Sequence, residues 1–137
     1  MTGTVDEPAN VVAGFVHACD HGTIEAYAGF LAADVEVTLV RGDEVIDRRT
    51  GRDAVVAATR ERRRAGALGP GSGRQHLLSA SWETARDDDA VRLVTHWMLV
   101  SPGAVEGAGH YVDDLERAGV GWRLRRRTTR LLDGGRP

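Results

Sequence analysis

The second half of the chain most limits what it can fold into. Apolar and polar residues alternate over four long stretches, 74–85, 90–100, 106–117 and 121–132, as they do in half-buried strands. The breaks between them are short: "RDDD" at 86–89, Pro102–Gly103, and "AGVG" at 118–121. Each carries turn chemistry that suits a hairpin rather than a crossover. Strands joined this way form an antiparallel meander, with no intervening helix to make a parallel sheet.

Helical periodicity is confined to the first half. Val12, Phe15, Val16 and Cys19 recur at helical spacing from Ala9 onward. "HG" at 21–22 should end that helix, with glycine in a left-handed cap. Thr23 can cap a second helix, expected to run to about Ala33 and bury Tyr27, Phe30 and Leu31. Val35, Val37 and Leu39 then alternate, and "RGDE" at 41–44 turns the chain into a short second strand. A third helix covers "RDAVVAATRERRRAG", its arginines gathered at the end that the helix dipole makes negative. "GALGPGSG" at 66–73 reads as a flexible loop without large apolar anchors. The expected fold is α+β: a cone-shaped, curved antiparallel sheet wrapped around three N-terminal helices, with a pocket between them. One domain is expected over 1–137, ordered from about 9 to 132 behind a loose leader at 1–8.

Charge narrows the function. The formal net charge is −2, with 18 basic residues, all of them arginine. That balance argues against a dedicated nucleic-acid binder, despite "RERRR" at 60–64 and "RRRTTR" at 125–130. One cysteine, Cys19, allows no internal disulfide and suits a reducing cytoplasm. The first residues lack the basic and apolar regions of a signal peptide, and no apolar run reaches the roughly 20 residues of a membrane span. A cytoplasmic protein is expected.

Pairing the strands about their turns places the polar groups. His76 falls opposite Leu99, Leu78 opposite Trp97, Ala80 opposite Thr95 and Trp82 opposite Leu93, all on one largely apolar face. The other face carries Leu77, Ser79, Ser81, Val94, His96 and Met98. Being half apolar too, it predicts a homodimer through the outer face of the sheet. In the last hairpin Asp113 falls opposite Arg126 and Tyr111 opposite Thr128. A cross-strand ion pair of this kind also has a purely structural reading, worth about 0.2–1 kcal/mol. Val12, Val16 and Asp20 share one stripe of the first helix. Asp20 thus puts an anion at a helix C-terminus, where the dipole disfavours it. Breaking a local rule in this way marks a candidate functional residue. The alternative is that Asp20 turns outward and caps the Thr23 helix.

Three stretches, "ACDHGTIEAYAGFLAADVEV", "RQHLLSASWETARDDDAVRLVTHWMLV" and "GHYVDDLERAGVGWRLRRRTTRL", resemble in order and spacing the SnoaL-like branch of the nuclear transport factor 2-like superfamily. The resemblance covers about residues 10–132 and is nearest to the scytalone dehydratase-type group. It implies a helix-borne aspartate paired with a strand-borne histidine, matched here by Asp20 and His76, that moves protons beside a hydroxyl or carbonyl. An imidazole in an apolar pocket can shuttle protons near neutral pH, and a buried carboxylate would fix its tautomer. The chain departs from that group at Cys19, which replaces a tyrosine, at Ser101–Pro102, where a second histidine would lie, and at Gly109–Tyr111, which replace a serine/asparagine pair. The scytalone substrate itself is therefore not implied.

The expected function is a lyase or isomerase, dehydratase- or polyketide cyclase-like, acting on a hydrophobic cyclic small molecule such as a polyketide- or steroid-like intermediate. His76 would be the acid/base, Asp20 its partner and Tyr111 a donor to a developing oxyanion. Tyr27, Trp97 and Leu78 would contact the substrate, supported by Asp113 and Arg126. The five histidines form no compact ligand motif, so neither a metal nor another cofactor is expected. The alternative is a non-catalytic small-molecule-binding or assembly module on the same fold.

Overall fold

The computed structural model describes residues 7–133. Positions 1–6 of the expected leader lie outside these, but Pro8 already opens a helix. Helix α1 spans Pro8–His21; proline fits its first turn because the amide hydrogen it lacks would have no helical partner there. Its buried stripe includes Val12, Phe15, Val16 and Asp20. Gly22 closes the helix, but not by left-handed geometry: its φ is −95°. A Cβ at Gly22 would sit 2.9 Å from the Ala18 Cα, so glycine is needed there for space.

Helix α2, Ile24–Gly29, is capped by Thr23, whose hydroxyl accepts from the Ala26 amide at 3.0 Å. It ends four residues before the expected Ala33. Leu31 already belongs to strand β1, Leu31–Arg41, and is fully buried opposite Leu124. Sheet pairing outweighs the helical propensity of Leu31, Ala32 and Ala33. Strand β2, Glu44–Thr50, and helix α3, Arg52–Arg64, follow. The rest is β3 (Gln75–Leu78), β4 (Trp82–Arg86), β5 (Ala90–Ser101), β6 (Ala104–Ala118) and β7 (Gly121–Leu131).

The sheet is curved and unclosed, in the order β2-β1-β7-β6-β5-β3, with β4 also on β5. The meander pairs antiparallel as expected, but β1 lies parallel to β7, so the sheet is mixed. Helix α3 and the strands between β1 and β7 together supply the long crossover that a parallel pair needs. Within the described residues no helix is long and apolar enough to cross a membrane.

Two irregularities move residues away from their expected partners. The stretch 74–85 breaks at Ser79–Ser81, where Ser79 exchanges hydrogen bonds with the His96 backbone and Ser81 Oγ lies 2.7 Å from Thr95 Oγ1. Before the break, His76 pairs with Leu99 and Leu78 with Trp97, as the sequence predicts. After it, Trp82 pairs with Val94 rather than Leu93 and is turned 71% to solvent. In the last hairpin a bulge between Asp114 and Leu115 moves Asp113 opposite Arg127 and Tyr111 opposite Thr129. A slip of one residue exchanges the two faces of a strand. Arg126 consequently points outward beside Glu36, at 3.7 Å, and is not the partner of Asp113. The core fills the concave side of the sheet, where Leu93, Leu115 and Leu124 meet Val12, Phe15 and Val16 of α1.

Candidate functional site

The concave face and the three helices enclose a cavity of about 260 Å³. Phe15, Val16 and Cys19 line it from α1, Tyr27 from α2, and Val55, Ala58 and Arg62 from α3. The sheet contributes Val37, Leu39, Asp47 and Arg49 from β1–β2, His76 from β3, and Trp97, Tyr111 and Arg127 from β5–β7. Leu68 of the 66–73 loop also reaches the lining; this loop has an apolar anchor that its Gly-rich composition hides.

Asp20 and His76 meet at the edge of this cavity. His76 Nδ1 lies 2.8 Å from Asp20 Oδ1, and the His76 backbone N–H donates to Asp20 Oδ2 at 2.7 Å. The Asp20 side chain is 3% exposed and that of His76 15%. An ionised carboxylate can only accept, so Nδ1 carries a proton. In the neutral imidazole, Nε2 then keeps its lone pair, and the backbone bond fixes where the carboxylate sits.

A basic side chain explains how Asp20 is tolerated at the C-terminus of α1. Arg63, from α3, donates through Nη2 to the carbonyls of Ala18 and Cys19 at 2.9 and 3.0 Å. It satisfies helix-end acceptors and brings positive charge to the negative end of the dipole. Gly69 makes room for it: its φ is +90°, and a Cβ there would fall 2.8 Å from Arg63 Cγ. Arg63→Met is expected to cost about 1–3 kcal/mol in thermal melts, because the Cys19 carbonyl loses a charged donor, while the Ala18 carbonyl keeps the Gly22 amide. It should also weaken the slowly exchanging Nδ1 proton signal of His76, whereas Arg63→Lys should restore it in part. An unchanged signal in Arg63→Met would remove Arg63 from the support of Asp20.

Beside His76, whose ring centroid lies 6.0 Å from that of Trp97, the same sheet carries a stack. Tyr111 lies against Trp97, ring centroids 5.7 Å apart, and the Arg127 guanidinium sits 3.6 Å from the Tyr111 ring centroid. Arg127 Nε and Nη2 donate to Asp113 at 2.7 and 2.9 Å, and Asp113 is fully buried. Burial works against the charge on Arg127, but Asp113 outweighs it and raises the guanidinium above its ordinary pKa. Burial raises the Tyr111 hydroxyl, with Arg127 opposing in part; Tyr111 is therefore a protonated donor at neutral pH. The Tyr27 hydroxyl is raised by burial as well and accepts from Thr59 Oγ1 at 2.9 Å. Burial and the neighbouring Asp20 push the Cys19 thiol up to about 11, which makes it a neutral wall group rather than a nucleophile.

Of the residues singled out in the sequence, His76, Tyr27, Trp97 and Tyr111 line the cavity, and Asp20 and Asp113 stand behind His76 and Arg127. Leu78 packs against the core without joining the lining, and Arg126 lies on the outer face. Arg127 is the site residue that alternation misses. Counting by twos from Trp122 and Leu124 selects Arg126, and nothing in the run of three arginines marks the bulge. Among the described residues, no three His, Cys, Asp or Glu side chains come together to hold a metal ion.

A curved sheet closed by three helices over a partly polar cavity defines the nuclear transport factor 2-like class of folds. Within it, the chain belongs to the SnoaL-like domain family, whose model matches residues 5–128. It is similar to a nuclear transport factor 2-like protein with a cystatin-like fold from Novosphingobium aromaticivorans, with 25% identity and a TM-score of 0.76 over 93% of this chain and 80% of that one. A candidate scytalone dehydratase from the same organism is 16% identical, with a TM-score of 0.67 over 90% and 80% of the two chains. LinA is 14% identical, with a TM-score of 0.71 over 90% and 82%. At such identities these last two share the fold alone. Comparison with curated proteins found no match.

Proposed function

We propose that this chain is a lyase or isomerase that moves a proton on a hydrophobic cyclic small molecule, using His76 and Asp20. The observation that carries this reading is that Asp20 spends both carboxylate oxygens on one residue, His76. A residue whose only duty were packing would not need its imidazole held in one tautomer at a cavity wall. Nε2 is the group available to take a proton from carbon beside a carbonyl, or to return one to a leaving hydroxyl. Tyr111 and Arg127, further along the same sheet, are the donors available to a developing oxyanion. The likeness to a candidate scytalone dehydratase suits such chemistry. The cavity, about 260 Å³, lies just below the usual range for ligand sites, about 300–1,000 Å³, and so favours one or two rings over a four-ring frame.

The test is deuterium exchange. A panel of cyclic ketones and β-hydroxy ketones in D2O should show, by NMR, enzyme-dependent exchange at the carbon beside the carbonyl, abolished in His76→Ala. Binding without exchange for every ligand bound would mark the chain instead as a small-molecule-binding module.

We also propose that the outer face of the sheet is covered by a second copy. Leu77, Trp82, Met98 and Val105 are all exposed there in the isolated chain, and contiguous apolar surface of this kind marks an interface. Sedimentation at micromolar concentration should show twice the 14.8 kDa of one chain. Met98→Glu should yield monomers, because an unpaired charge is costly to bury. A wild-type species of single-chain mass would remove the dimer.

A further inference from the structure

We propose that the mouth of the cavity binds the carboxylate of a one- or two-ring acid, with Arg62 as its principal contact and Arg49 as the second. This rests on reading the cavity as a substrate site and adds the substrate's charge to it. The charged side chains of the lining, His76 aside, are three arginines (49, 62 and 127) and a single carboxylate, Asp47. Asp113 neutralises Arg127 from behind. Asp47 engages Arg49 at Nε only, at 3.0 Å, leaving its terminal amino groups for another acceptor. Among the described residues no carboxylate pairs with Arg62; its neighbour Glu61 is taken by Arg64 at 3.3 Å.

Arg49, Ala58 and Arg62 border both the cavity and a groove outside it between α3 and β2. They therefore form the threshold between the two. An arginine at the end of a surface helix usually lies in solvent. Arg62 is likewise exposed, yet it also borders the cavity, and its charge partly offsets the upward shift of the Cys19 and Tyr27 groups. Two arginines from separate elements border one opening beside an apolar interior, and guanidinium groups suit the planar, bidentate geometry of a carboxylate. The ring enters against Phe15 and Trp97, and the acid group stays at the threshold.

The test uses 2-naphthoate and its neutral isostere 2-naphthamide, titrated by calorimetry. The wild type should bind the carboxylate about tenfold more tightly than the amide, the scale of a charge-assisted hydrogen bond, and added salt should erode that preference. Arg62→Gln should abolish most of the preference while leaving the amide's affinity in place, and Arg62→Lys should keep part of it. His76→Ala should retain the full preference, so loss of proton transfer and loss of anion recognition are read separately. Equal affinity for the two probes, an unchanged preference in Arg62→Gln, or no binding of either at about millimolar concentration would overturn the proposal.

Discussion

His76→Ala is expected to lower kcat by about 10²–10⁴-fold on any substrate the exchange screen identifies, the usual range for a positioned acid/base. The fold should survive, because Asp20 keeps the backbone N–H of residue 76 at Oδ2. Asp20→Asn is the more informative variant. In the native pair two donors, the backbone N–H and Nδ1–H, meet two acceptor oxygens. Asparagine offers one oxygen and one amide nitrogen. If the oxygen keeps the backbone bond, the amide faces Nδ1, and the ring must adopt the other tautomer, with its proton on Nε2. The lone pair then leaves the nitrogen that should do the chemistry. The rate should fall by a similar factor while ligand affinity is kept, and ¹⁵N spectra of the imidazole should show the exchanged tautomer. The double variant should be little worse than either single one, since the residues act as a unit. Turnover within about twofold of wild type in His76→Ala would refute the proton-transfer mechanism.

The largest stability effect is expected from Asp113→Asn. The carboxylate is fully buried and holds Arg127 through two bonds. Removing its charge strands a guanidinium that is itself 5% exposed. Breaking a buried pair in this way costs about 3–5 kcal/mol, because a desolvated charge loses its compensation. For a domain of this size that corresponds to a fall in Tm of roughly 10–20 °C. The double replacement Asp113→Leu with Arg127→Met should recover much of the loss, as buried pairs exchanged whole for apolar groups often do. Arg126→Met, one residue away, should change Tm little, since its contact with Glu36 is half exposed. Equal effects at Arg126 and Arg127 would contradict the bulged register.

That contrast between neighbouring arginines shows where local reading ends. Alternation from Trp122 and Leu124 places Arg126 inside, and only the bulge at Asp114–Leu115 brings Arg127 there instead. Trp82 was misplaced for the same reason, by the irregular Ser79–Ser81 segment. Asp20 and His76 could be picked out because each violates its own surroundings: an anion at a helix C-terminus and an imidazole on an apolar strand face. Arg63 and Gly69, which accommodate the first of these, carried no such mark. Arg63 reads as one member of a basic helix end, and Gly69 as one glycine of a loop.

The sequence by itself determined most of the elements and the hairpins of the meander, and marked Asp20 and His76 as out of place in their surroundings. These follow from rules that reach two to four residues along the chain: strand alternation, helical spacing, turn chemistry and the helix dipole. Only the tertiary structure decided the parallel joining of β1 to β7, the inward turn of Arg127 rather than Arg126, and the arginine threshold of the cavity. Each depends on which side chains fit against strands and helices distant in sequence, and the packing energy that selects among those arrangements leaves no local period to read.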